Sequence, residues 1–149
     1  MKGLVQRVSD ASVCVDGTRI GQIRQGLLLL LGVEKHDDIE AARRLCERVS
    51  AFRMFPDKTG RMNLSVCDIT GELLVVPQFT LAADTRSGTR PGFSSAAAPE
   101  KARHLFQTFV DEAKVRVGES RVAQGRFGAD MKVSLTNDGP VTFMLESAG

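Results

Sequence analysis

Five successive leucines, Leu27 to Leu31, sit between two glycines in the stretch GLLLLLGV. Successive side chains of a strand point to opposite faces, so a strand with one wet face alternates apolar and polar residues. This stretch offers nothing polar to either face. It therefore predicts a strand covered on both sides, with a packed layer above and below it. As a helix it would be far too short for a bilayer, which takes about 20 apolar residues.

The rest of the chain is read around that strand. MKGLVQRV alternates and predicts a first strand. ASVCVDGTRIGQI predicts a hairpin turning at Asp16-Gly17, since Asp-Gly suits the tight turns that join antiparallel strands. A helix is expected from about Asp37, with Asp37 and Glu40 spaced as a capping box and Ile39, Ala42, Leu45, Cys46 and Val49 at helical spacing. AFRMF reads as strand, PDKTG as a turn, and ELLVVPQFTL as a further strand interrupted at Pro77. A second helix should begin at Pro99, burying Ala102, Leu105, Phe106, Phe109, Val110 and Ala113. MKVSLT and VTFMLE complete the set, with Asn137-Asp138-Gly139 suited to a hairpin turn between them.

No repeat or linker divides the 149 residues, and 42% apolar content suffices for a real core. The expectation is one α/β domain over residues 1–149, with mixed, largely antiparallel sheets packed with two main helices. MKGLVQRVSD lacks the apolar core and cleavage site of a signal peptide, so a cytoplasmic, membrane-free protein is expected. Lys plus Arg number 20 against 18 for Asp plus Glu, a balance that neither demonstrates nor excludes nucleic-acid binding.

Conventional catalytic equipment is sparse. Cys14, Cys46 and Cys67 form no CxxC pair, which argues against a disulfide framework and a zinc site. His36 lies in a charged turn and His104 within the second helix, neither beside an identifiable Ser or Cys. No GxSxG, HExxH, phosphate-loop or dinucleotide-loop pattern occurs. The segment AADTRSGTRPGFSSAAA, residues 82–98, has no periodicity. Its Arg86, Arg90, glycines and hydroxyls suit either phosphate contact or a solvated loop.

Two places are unusual. PQFTL, residues 77–81, ends an apolar strand with a proline, an amide and a hydroxyl. Gln78 can donate and accept, and Thr80 is a nucleophile only if a base lies near; otherwise it packs. TNDGPVTF contains Pro140, which has no N–H for a ladder, beside Gly139, which leaves room for close approach.

In these two segments and end to end, the chain resembles the D-aminoacyl-tRNA deacylases of the D-tyrosyl-tRNA deacylase type. The matching stretches are LVQRV, GLLLLLGVEK, FRMFPD with GRMNLSV, PQFTLAADT, and GRFGADMKVSLTNDGPVTF. The resemblance implies a homodimer that hydrolyses the ester between a D-amino acid and the 3′-terminal adenosine of tRNA, with no cofactor or metal. It implies that Gly139-Pro140 is cis, reaches into the partner's site and rejects L-aminoacyl esters, while glycyl-tRNA is accepted. Arg7 is implied as the buttress of that segment. Backbone N–H groups at Phe79 and around Ala102 are implied as donors to the ester carbonyl. Gln78 and Thr80 are implied to orient groups at the reacting centre, and Phe127 and Met131 to hold the terminal adenine. The family usually has Ser where this chain has Pro77.

The resemblance leaves the nucleophile open between Thr80 and a water assisted by the ribose 2′-hydroxyl. Two other functions stay in play: an esterase of small D-amino acid esters, and an RNA-binding module without catalysis.

Overall fold

The computed structural model describes residues 1–147. The leucine strand is β3 (Gly26–Gly32), and it lies inside a six-stranded sheet. The other members are β1 (Lys2–Val15), β2 (Thr18–Ile23), β6 (Glu72–Pro77), β7 (Val122–Gln124) and β8 (Lys132–Glu146). β4 (Phe55–Pro56) and β5 (Met62–Leu64) form a separate small ladder. Helix α1 spans Ile39–Ala51 and α2 spans Pro99–Val117. The ladders of β1 with β2, β3 and β8 are antiparallel, as is β4 with β5; β3 with β6 and β6 with β7 are parallel.

The double covering of β3 has a plain origin. Leu27, Leu29 and Leu31 join Leu73 and Val75 of β6 in the core shared with the helices, through Leu45, Val49, Leu105 and Phe109. Leu28, Leu74 and Val76 face the other way, into a second core with Val8, Ala11, Val13 and Ile23. The same β1 that pairs with β3 through residues 2–8 continues into the hairpin with β2 through residues 11–15. The sheet thereby curls over and roofs its own central strands.

Several local expectations are corrected. The cap of α1 is Asp38, not Asp37: Asp38 Oδ1 accepts from the Ala41 N–H at 2.8 Å. Asp37 is engaged elsewhere, accepting from the Met1 amine at 2.7 Å and the Glu34 N–H at 2.6 Å, so no capping box forms there. Replacing Asp38 by Ala should lower the stability by about 1 kcal/mol, the usual worth of an N-cap, read as a fall in the urea midpoint with an unchanged slope. Ile39 is 43% exposed rather than part of the buried stripe, where Ala41 stands with Ala42, Leu45, Cys46 and Val49. AFRMF is mostly not strand: Ala51 ends α1 and only Phe55 enters β4. Helix α2 starts at Pro99 and buries the expected stripe, with Val117 added.

The largest correction concerns the C-terminal segment. MKVSLT and VTFMLE are not two strands joined by a hairpin but one strand, β8, running antiparallel to β1 over most of its length. Asn137-Asp138-Gly139 does not turn the chain because both flanks find their partner on the same neighbour. Gln6 pairs with Thr142 and Val8 with Asn137, so Asp138 to Val141 bulge out opposite Arg7 alone.

Candidate active site

The site residues expected from the sequence fall into two groups, and these sit apart in one chain. The first is built where β6 ends. In parallel pairing with β3, the Gln78 N–H reaches the Leu31 carbonyl at 2.8 Å and the Gly125 N–H reaches Val75 on the opposite side. Backbone groups alternate sides along a strand, so Pro77 turns its ring Cδ rather than an N–H toward Gly125, and the pairing on that side ends with the Gly125–Val75 bond. A Cβ built on Gly125 would lie 2.8 Å from Met131 Sδ and 3.2 Å from Pro77 Cδ, so Gly125 lets Met131 close on the proline ring.

Past Pro77 the chain tightens into a 3-10 helix over Phe79–Ala82. Phe79 is 60% exposed and its ring lies 5.4 Å from that of Phe93, itself 44% exposed. Thr80 is exposed, and its hydroxyl accepts from the Gln78 side-chain amide. An amide cannot take a proton, and no His, Asp or Glu bonds this hydroxyl among the described residues. The amides that open a helical turn lack intrahelical acceptors, which leaves the Phe79 N–H without one in this turn.

The start of α2 is fastened beside this turn, because the Ala97 N–H donates to the Val33 carbonyl at 3.1 Å, one residue past β3. Ala102 is buried, and its N–H donates to the Ala98 carbonyl at 2.9 Å. That corrects its expected role: the first helical hydrogen bond consumes this donor, and the amides of Glu100 and Lys101 precede it. Phe127 packs against the same helix, 6.3 Å from Phe106 between ring centres, with the Arg103 guanidinium 5.0 Å over its face.

The second group is the bulge of β8. The Gly139-Pro140 peptide is cis and Gly139 has φ of +140°. Arg7 Nε donates to the Asp138 carbonyl at 3.0 Å and Arg7 Nη1 to the Met54 carbonyl at 2.8 Å. Asn137 Oδ1 accepts from the Val141 N–H at 2.8 Å and closes the base of the bulge. Gly139 and Pro140 themselves stand exposed at its tip.

Counting along the ladders gives the separation. Arg7 pairs with Leu27, whereas Pro77 pairs with Leu31, four residues further along β3. At ~3.3 Å per residue and ~4.8 Å per strand over the three steps from β8 to β6, the two groups lie roughly 20 Å apart. The structure brings Pro77, Gln78, Phe79, Thr80, Ala102, Phe127 and Met131 to one end of the sheet. It holds Arg7, Gly139 and Pro140 at another place.

Other candidates carry less. Burial pushes the Cys46 thiol up to about 12, far from a useful nucleophile. His36 and His104 are exposed. In the 82–98 segment Arg86 is already taken, donating to both carboxylate oxygens of Asp84 at 2.9 Å and holding that acid down at about 2.

Residues 4–146 match the model of the D-Tyr-tRNA(Tyr) deacylase family. The chain belongs to that family. Among its relatives, a D-aminoacyl-tRNA deacylase of Marinobacter nauticus is 65% identical over 99% of this chain and 94% of its own length. One from Teredinibacter turnerae is 58% identical over 99% of this chain and 100% of the relative. Of solved structures, the c-Myc DNA Unwinding Element Binding Protein superposes with a TM-score of 0.95 at 36% identity, covering all of both chains. A probable eukaryotic D-amino acid tRNA deacylase gives 0.86 at 17% identity over 97% of this chain and 98% of that one, a likeness of fold. Among the described residues no helix is long and apolar enough to cross a membrane, and no three His, Cys, Asp or Glu side chains converge as metal ligands.

Proposed function

We propose that the chain hydrolyses the ester of D-aminoacyl-tRNA in the cytoplasm, releasing the D-amino acid and tRNA, and that it acts as a homodimer. The observation that carries the activity is the 65% identity, over nearly the whole of both chains, to a protein bearing that name. The terminal adenine lies against Phe127 and Met131, and the ester carbonyl meets the Phe79 N–H. Such a donor contributes about 3–4 kcal/mol to the transition state. A water attacks the carbonyl carbon, the bond to the 3′-oxygen breaks, and that oxygen leaves with a proton. The adjacent 2′-hydroxyl relays it, with Gln78 and Thr80 orienting the groups. The Thr80 hydroxyl, bonded to an amide rather than to a base, favours this route over a covalent one.

Chiral rejection is assigned to Gly139-Pro140 of the partner subunit. Roughly 20 Å of sheet separates this motif from Thr80 of its own chain, which supports a second copy supplying it. There the exposed tip fills the place an L side chain would need; glycine has none, so glycyl-tRNA is hydrolysed too.

Two assays test this. D-, L- and glycyl-tRNA are compared side by side, with D and glycyl esters hydrolysed and L spared; hydrolysis of L at the D rate would refute chiral rejection. Thr80→Ala should keep turnover within about tenfold, because an orienting hydroxyl is worth about 1 kcal/mol. Loss of all turnover with tRNA binding intact would make Thr80 the nucleophile.

A further inference from the structure

A cleft of about 780 Å³ lies beside Phe127, between α2 and the β7–β8 connection, and none of residues 77–82 lines it. Its lining includes Arg103, His104, Gln107, Gln124, Arg126 and Phe127, with Glu100 as its one acid. Three guanidiniums are held by carboxylates, Arg7 by Asp138, Arg86 by Asp84 and Arg116 by Glu112. Here neither Arg103 nor Arg126 has an ion-pair partner among the described residues. Two unpaired guanidiniums, side-chain amides with donors and acceptors, and an aromatic face are the elements from which single-stranded nucleic-acid tracks are made. Phosphate is met by the cations, base edges by the amides, and a base plane by the ring.

We infer that this cleft holds the unpaired nucleotides that precede the terminal adenosine, with Arg126 facing their phosphates. The inference rests on the proposed tRNA substrate, since Phe127 is shared between the adenine platform and the cleft. One strand could then run from the reacting ester, across Phe127, into the groove. The cleft has room for a nucleotide or two, being within the range of ordinary ligand pockets. Arg103 is a positioning residue for both parts, because it covers the Phe127 ring.

Binding of adenosine and of the trinucleotide CpCpA, followed by NMR titration, tests the cleft without any hydrolysis. The trinucleotide should bind the parent chain about tenfold or more tightly than adenosine does. Arg126 is exposed, so Arg126→Glu should fold normally. It should abolish that advantage, leave adenosine binding within about twofold, and lower the salt slope of trinucleotide binding by about 0.7, the loss of one single-strand phosphate contact. Gln107→Ala, also exposed, should cost a smaller part of the advantage with an unchanged slope. Equal affinities for adenosine and CpCpA in the parent would overturn the inference. So would an Arg126→Glu variant that weakens both ligands alike. Hydrolysis of D-aminoacyl-tRNA and of 3′-(D-aminoacyl)adenosine by the parent reports separately on the proposed activity: absence of both would refute the deacylase reading while the trinucleotide result still decides the cleft.

Discussion

Gly26→Ala is expected to yield little or no folded protein. Gly26 faces Glu72 at the start of the parallel β3–β6 ladder, and an added Cβ would lie 1.8 Å from the Glu72 carbonyl oxygen and 2.7 Å from its carbonyl carbon and nitrogen. All three are backbone atoms, so no rotamer change relieves the overlap. Glu72 is itself pinned, its N–H to the Gln25 carbonyl at 3.0 Å and its carboxylate to the Arg24 N–H at 2.7 Å. The strands must separate, which breaks packing in both cores because Leu73 and Leu74 belong to opposite ones. A loss above ~4 kcal/mol is expected against a typical total of ~5–15 kcal/mol. Gly60→Ala is the control: Gly60 has φ of +83° but nothing within 4 Å of an added Cβ, so its cost should stay near 1 kcal/mol. A Gly26→Ala protein whose urea midpoint equals that of Gly60→Ala would show that the seam can open cheaply.

The leucine run made this sheet legible from the sequence, since a strand apolar on both faces demands two covers. What the run could not supply was the identity of the covers. One is the pair of helices, which periodicity and Pro99 announce; the other is β1 and β2 folded back over the sheet, a long-range event with no local signal. The same limit explains β8. A turn-forming tripeptide with a proline looks like a hairpin when only neighbours in sequence are weighed. Its flanks instead both pair with β1, over 120 residues away, and the extra residues become a bulge.

The candidate site divides along the same line. Pro77 does not interrupt a strand but ends one, with its ring turned toward Gly125, a matter of pairing that the sequence alone does not show. Asp37 had the spacing of a cap yet is drawn off by the Met1 amine, which no pattern in residues 34–40 reveals. Ala102 stood near the right helix end, but one turn of hydrogen bonding decides which amides stay free. Most telling is the distance between the two motifs. Order and spacing in the sequence suggested that PQFTL and NDGPVT work together, and only the ladder count places them roughly 20 Å apart within one chain.

That count gives the Arg7 and Gly139 substitutions their meaning. Gly139 adopts φ of +140°, where L side chains are strained, and a Cβ there would meet Val141 Cγ2 at 2.6 Å and Val141 N at 3.0 Å. Gly139→Ala should therefore reshape the bulge at a cost of about 1–3 kcal/mol. The tip is exposed and both flanks of β8 remain paired, so the protein should fold. Arg7→Ala acts on the same segment from beneath, removing donors to Asp138 and Met54 carbonyls that are each worth about 1.5–3 kcal/mol as charged hydrogen bonds. Arg7→Lys should not rescue it, since one ammonium lacks the fork that spans two carbonyls on different segments. For both Gly139→Ala and Arg7→Ala, the ratio of kcat/KM for D- over L-aminoacyl-tRNA should fall by at least about tenfold, the equivalent of 1.4 kcal/mol of lost discrimination. Under the proposed dimer, mixing Gly139→Ala with Arg7→Ala subunits should restore nothing, as both lesions disable the same segment. An unchanged D-to-L ratio in folded Gly139→Ala would sink the idea that this tip reads the substrate's handedness, and would return the bulge to the status of an irregular strand.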